Sequence, residues 1–183
     1  MQKVFVLRTE SFPSGGEALL SERLKRWGIS AEVRVADQSR GSLGLTASTD
    51  EGVDLQVRSE AKYRYPVLLL AGPDDQVADL ARRIEPDVWS RDELLLEVTA
   101  TDPPDASLLV PLALTTEELD EVTVEVLLRA LEADAVEHRR QALVAISMVP
   151  ALAFMPALTL NERREPDPEL RAMTRRVISM CGG

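Results

Sequence analysis

The sequence predicts an α+β protein, with a small mixed α/β domain over residues 1–88 and an all-helical domain over residues 90–183. Three observations carry this. Seven of the nine glycines lie between Gly15 and Gly72, and the other two are Gly182 and Gly183, so turns that need positive φ are concentrated in the first half. Alternating apolar and polar residues, the signature of half-buried strands, also fall in the first half. The second half instead repeats itself at an offset of 32 residues.

KVFVLR (3–8) is a short apolar run rich in β-formers and predicts a central strand. Ser14–Trp27 predicts a helix: Ser14 and Glu17 have capping-box spacing, Ala18, Leu19, Leu20 and Leu24 give the apolar stripe, and Gly28 closes it. AEVRVA (31–36) alternates as a strand. SLGLTAS (42–48) and VDLQVRS (53–59) alternate around TDEG (49–52) and read as a hairpin. YPVLLLAG (65–72) is an unbroken apolar run, as in a buried strand. Pro73, Asp74 and Asp75 then start a helix to about Ile84, proline in its first turn and the acids at its positive end. The order β-α-β-β-β-β-α is that of a split β-α-β sheet, a ferredoxin-like arrangement with an extra hairpin.

In the second half, EHRRQALVAISM (137–148) and ELRAMTRRVISM (169–180) match at Glu, Arg and the closing Ile-Ser-Met. Leu95-Leu96 recurs as Leu127-Leu128, and Asp102, Asp134 and Asp167 follow at similar spacing. Ser90 and Glu93 have capping-box spacing before residues 91–101, where LLLEVTA also fits a strand. A short helix containing Pro111 fills about 105–114. Thr115 and Glu118 are placed to cap a helix to about Ala133, and further helices fall near 136–148, 150–162 and 168–180. On these residues the segment resembles a HEAT-like repeat, an armadillo-type α-solenoid, closely in the second and third units and less in the first, where Ser107 stands in the place of Arg139 and Arg171. The resemblance implies three stacked helical pairs and the binding of another macromolecule.

Composition excludes several classes. With 45% hydrophobic and 28% charged residues the chain is that of a globular protein rather than a disordered one. Against 21 Lys and Arg stand 31 Asp and Glu, a net charge of −10, so the basic face of a nucleic-acid binder is missing and basic partners are favoured. Lys62-Tyr63-Arg64-Tyr65, the densest basic-aromatic stretch, is too short for a backbone-tracking groove. One Cys and one His cannot supply a tetrahedral zinc site. MQKVFVLR has too few apolar residues for a secretion signal, and the lone cysteine suits a reducing, cytoplasmic setting. Ala142–Leu160 is uncharged for 19 residues, but Pro150 and Pro156 divide it into two short buried helices rather than a membrane span. Pro150 is expected in the first turn of the second helix, Pro156 to kink or shorten it, and Leu143, Ile146, Leu152 and Leu158 to be buried.

No catalytic constellation stands out. His138 falls at the repeat position of Leu170, as a packing residue would. Arg139 and Arg171, with Asp134 and Asp167, are placed for a ladder between repeats. Gly15-Gly16 lacks the spacing of a phosphate loop, Asp74-Asp75 reads as a helix start rather than a metal site, and Cys181-Gly182-Gly183 as a helix end. The expectation is therefore a non-enzymatic module, without metal or cofactor, that binds another protein, in one form an inhibitor or immunity-type protein for a basic partner. The alternative is a regulatory protein whose α+β half binds a small ligand. Five acidic and no basic residues lie between Thr115 and Leu128. Glu118, Glu121 and Glu125 would share one helix edge as a docking stripe, with Leu119, Val122 and Val126 turned to the core.

Overall fold

Alternation in the first half produces the sheet of a computed structural model that describes residues 1–8, 16–39, 42–60 and 65–182, without the side chains of 37–39, 42 and 60. The expectations for Ser14, Gly15, Lys62–Arg64 and Gly183 lie outside these residues. The chain divides into two compact units, Met1–Ser90 and Arg91–Gly183.

The first unit runs β1 (Gln2–Leu7), α1 (Gly16–Arg26), β2 (Ala31–Ser39), β3 (Ser42–Thr49), β4 (Asp54–Glu60), β5 (Val67–Ala71), α2 (Asp74–Ile84) and β6 (Val88–Trp89). The strands form one sheet in the order β2-β3-β4-β5-β1-β6, every neighbouring pair antiparallel. This is the split β-α-β order with two strands inserted. It closes on β6, a two-residue strand that the sequence pattern does not reveal. Leu7, Leu45, Leu55, Val57, Leu68 and Leu70 of the sheet pack with Leu20 and Leu24 of α1 and Val77, Leu80 and Ile84 of α2. The period-two and helical spacings thus meet on one face, except that Ala18 and Leu19, expected on the same stripe of α1, are exposed, because only the four-residue spacing of Gly16, Leu20 and Leu24 keeps to the buried side. Gly28, at φ +69°, ends α1, and Gly52, at φ +79°, turns β3 into β4, both in the left-handed region that glycine adopts at little cost. Asp74 and Asp75 sit in the first turn of α2, and Asp74 pairs with the amino terminus at 2.6 Å.

The second unit is α3 (Arg91–Val98), α4 (Ala106–Thr115), α5 (Glu121–Leu131), α6 (Val136–Met148), α7 (Met155–Arg164) and α8 (Pro168–Gly182). Residues 91–98 are helix, which settles the choice left open by LLLEVTA. Within the unit α3 packs on α4, α5 on α6 and α7 on α8, while α4 packs on α6 and α6 on α8. Residues 108–113 of α4 are all buried, Pro111 included, as expected of a helix that is apolar on every side.

Three expectations are corrected here. Thr115 does not cap a helix with Glu118; it is the last residue of α4, and its hydroxyl donates to the carbonyls of Pro111 and Leu112 at 3.2 and 3.0 Å. The cap of α5 is Asp120, whose Oδ1 accepts from the Thr123 N–H at 2.9 Å. Within 142–160, Leu143, Ile146 and Leu158 are buried but Leu152 is 73% exposed, because the chain takes a 3-10 turn at Leu152–Phe154 that turns Phe154 inward instead. Pro150 precedes that turn, and Pro156 rather than Pro150 occupies the first turn of a helix, α7, where its missing N–H costs nothing. No helix among the described residues is long and apolar enough to cross a membrane.

Candidate functional site

The three acidic residues singled out in the sequence fall around the start of α5. Asp120 fixes that start. Besides capping the helix, its Oδ2 is held by Arg91 Nη2, which also donates to Thr123 Oγ1 at 2.8 Å. This clamp ties the first turn of α5 to the beginning of α3. Because the helix begins at Glu121, Glu118 lies in the preceding link and not on the helix edge. Glu121 and Glu125 remain four residues apart on one face, and all three side chains are exposed. They make no ion pair among the described residues. Val126 is buried and Leu119 half-buried, but Val122, expected to face the core, is 51% exposed. The result is an acidic surface with one apolar side chain among the glutamates, continued into the link by Glu117, also exposed.

A second feature lies where α5 ends, α6 begins and α7 ends. A cleft of 620 Å³ is lined there by Leu131, Asp134, Arg139, Leu160, Arg164 and Glu165, among others. Arg139 and Glu165 form a bidentate pair at 2.8 and 3.0 Å, with the two side chains 11% and 1% exposed. Arg139 Nη1 also donates to the carbonyls of Ala133 and Asp134, and Glu165 Oε1 accepts from the Asp167 N–H. The Arg139 hydrogen bonds hold the Glu165 carboxyl below its ordinary value against the opposing effect of burial. With its donors engaged, Arg139 is a poor anion receptor: a ligand would have to break the pair. The expected ladder is thereby corrected. Arg139 takes its ion-pair partner from Glu165; Asp134 bonds it through its carbonyl and, with Asp167, favours its charge only from a distance, while Asp167 caps α8, accepting from the Glu169 and Leu170 N–H groups at 2.8 and 3.1 Å.

His138 is half-buried on α6, and its Nδ1 has no hydrogen-bond partner among the described residues. Cys181 is buried in α8. Among the described residues no group of three or more His, Cys, Asp or Glu is placed to hold a metal ion. Neither Glu165 nor the Arg91–Asp120 clamp was singled out from sequence. The only signal for the clamp was the Asp-x-x-Thr spacing of Asp120 and Thr123. No family model matches the chain, and no curated protein matches it either.

Proposed function

We propose that the chain is a non-enzymatic, cytoplasmic protein-binding module whose helical half is a HEAT-like array and whose partner is a basic protein, as for an inhibitor or immunity-type protein. The observation that carries this reading is the exposed acidic surface of Glu118, Glu121 and Glu125 at the start of α5, which makes no ion pair among the described residues. Two glutamates four residues apart repel each other when nothing neutralises them, and a cationic partner would remove that cost. Support for the repeat comes from the packing of the second helix of each pair on its counterpart in the next, α4 on α6 and α6 on α8. An acidic rim of this kind acts mainly on the association rate and on partner choice.

The test is capture from a cell extract with the native chain and with the triple variant E118K/E121K/E125K. A stoichiometric basic protein should bind the native chain, with affinity falling as salt rises, and bind the variant at least about tenfold more weakly. Circular dichroism should be the same for both, because the three positions are exposed. A partner held equally by both chains, or an acidic partner, would refute the reading.

A further inference from the structure

The outer side of β2 pairs with no strand among the described residues. Which backbone groups it offers follows from the ladder. Thr49 N–H donates to Val53 O across the β3–β4 turn, so the polar groups of Thr49 point towards β4. In an antiparallel ladder this direction alternates residue by residue. Thr46 and Ser48 therefore point towards β2 and bond Arg34 and Glu32, their register partners. The N–H and C=O groups of Ala31, Val33 and Val35 point out of the sheet edge. Glu32 and Arg34 project from the exposed face, 77% and 73% exposed, and pair with each other at 2.9 Å. Val35 is 41% exposed.

We propose that this edge pairs with β2 of a second copy of the chain, antiparallel about a two-fold axis at Val33. In that register Val33 meets the partner's Val33, Ala31 meets the partner's Val35, and Glu32 meets the partner's Arg34. Two independent requirements agree on it. Residues with outward-pointing backbone groups face one another, giving three hydrogen-bonded residue pairs, and each charge faces its opposite on the exposed face. A shift of one residue in the pairing sum would set outward-pointing groups against residues already bonded to β3. A shift of two, placing Glu32 against itself or Arg34 against itself, would oppose like charges. The occupant is a copy of this chain because Glu-x-Arg is self-complementary when reversed, which is what an isologous contact needs. The register of β2 slips between Val35 and Asp37, and such a bulge bends the edge and confines the ladder to about residues 31–35. The contact thus closes as a dimer instead of templating a fibre.

Five residues a side make a contact far below the standard interface of about 1,600 Å², so a weak, concentration-dependent dimer is expected. Sedimentation of the full chain over a range of concentrations reads it. E32R or R34E alone sets like charges opposite each other at two symmetric places and should weaken the dimer about tenfold or more. An equimolar mixture of E32R and R34E chains should restore dimers at least as tight as the native ones, because every cross-strand pair is again of opposite sign. V33P removes an outward N–H that pairs with no strand among the described residues and should abolish the dimer with circular dichroism unchanged. Should that variant misfold, the mixture decides alone. A chain that is monomeric throughout, a dimer insensitive to these changes, or a mixture no tighter than its components would overturn the proposal.

Discussion

Removing either member of the Arg139–Glu165 pair should destabilise the helical unit severely and unequally. Glu165 is 1% exposed and receives three donors, two from Arg139 and one from the Asp167 N–H. In R139A a buried carboxylate keeps a single donor, so the loss should lie near the upper end of the roughly 3–5 kcal/mol typical of a broken buried pair. In E165A the guanidinium keeps the Ala133 and Asp134 carbonyls, so the loss should lie near the lower end of that roughly 3–5 kcal/mol range. Either is a large part of a domain's stability of about 5–15 kcal/mol. The double variant R139M/E165L should recover much of it, because no charge is left without a partner. The pH dependence has a definite sign. With its folded value held below the ordinary 4.5, Glu165 contributes stability that is present above pH 4.5 and lost as pH falls through the folded value. In R139A burial is left to dominate, the folded value rises above the unfolded one, and acid should instead relieve the strain. Urea unfolding followed by far-ultraviolet circular dichroism at pH 7 and pH 4 measures all four chains. Tryptophan fluorescence separates the units, since Trp27 and Trp89 both lie in Met1–Ser90. Losses below about 1 kcal/mol in both single variants, the range of an exposed pair, would refute the reasoning.

Three further outcomes are expected. Asp120→Ala should cost about 1–2 kcal/mol through the lost cap of α5 and the freed Arg91, whereas Thr115→Ala should stay within about 0.5 kcal/mol, as measured by denaturant titration. Leu143→Ala should cost about 2–5 kcal/mol and Leu152→Ser close to nothing, since the first side chain is fully buried and the second mostly in water, and thermal melts of the two variants compare them. Gly72→Ala should lower the melting temperature although its φ is ordinary, because a Cβ there would meet the Gly52 carbonyl oxygen at 2.9 Å, a backbone atom that cannot swing aside as a side chain would.

The hairpin was legible because its signal is local: TDEG contains the one residue, Gly52, that takes the positive φ of the turn at little cost. β6 was not, since Val88-Trp89 is too short to show a period and is a strand only because Leu7 and Val6 of β1 lie opposite. The misplaced start of α5 has a similar cause. Thr115-x-x-Glu118 and Asp120-x-x-Thr123 both satisfy the local rule for a cap, and what separates them is distant. The carbonyls at the end of α4 take up the Thr115 hydroxyl, while Arg91, 29 residues earlier in the chain, holds Asp120. Moving the start by those residues took Glu118 off the helix, so the acidic cluster could be read from composition but its geometry could not. Leu152 fails in the same way. A 19-residue uncharged run says that a segment is apolar, not which side chain a 3-10 turn will point inward.

The 32-residue recurrence encodes something narrower than a charge ladder. Arg139 is the fourth residue of α6 and Arg171 the fourth of α8. Arg139 Nη1 donates to the carbonyl of Ala133 at 3.0 Å, and Arg171 Nε and Nη2 to the carbonyl of Glu165 at 3.0 and 2.6 Å, in each case six residues back. Each arginine therefore clasps the link that leads into its own helix. A lysine could not do this and also reach sideways, because the second interaction of Arg139 needs a planar fork with several fixed donors. Glu165 is where the two clasps meet. Its carbonyl is held by Arg171 from its own helical pair and its carboxylate by Arg139 from the pair before. The first helical pair has Ser107 at this place and no such clasp; there the hydroxyl turns back to the capping Asp105 at 2.7 Å. Beside the packing of α6 on α8, the second and third pairs are thus joined by one buried carboxylate of the α7–α8 link, at a position whose counterpart 32 residues earlier, Ala133, offers only its carbonyl. That is why a search for self-similarity finds both arginines and misses the residue joining them.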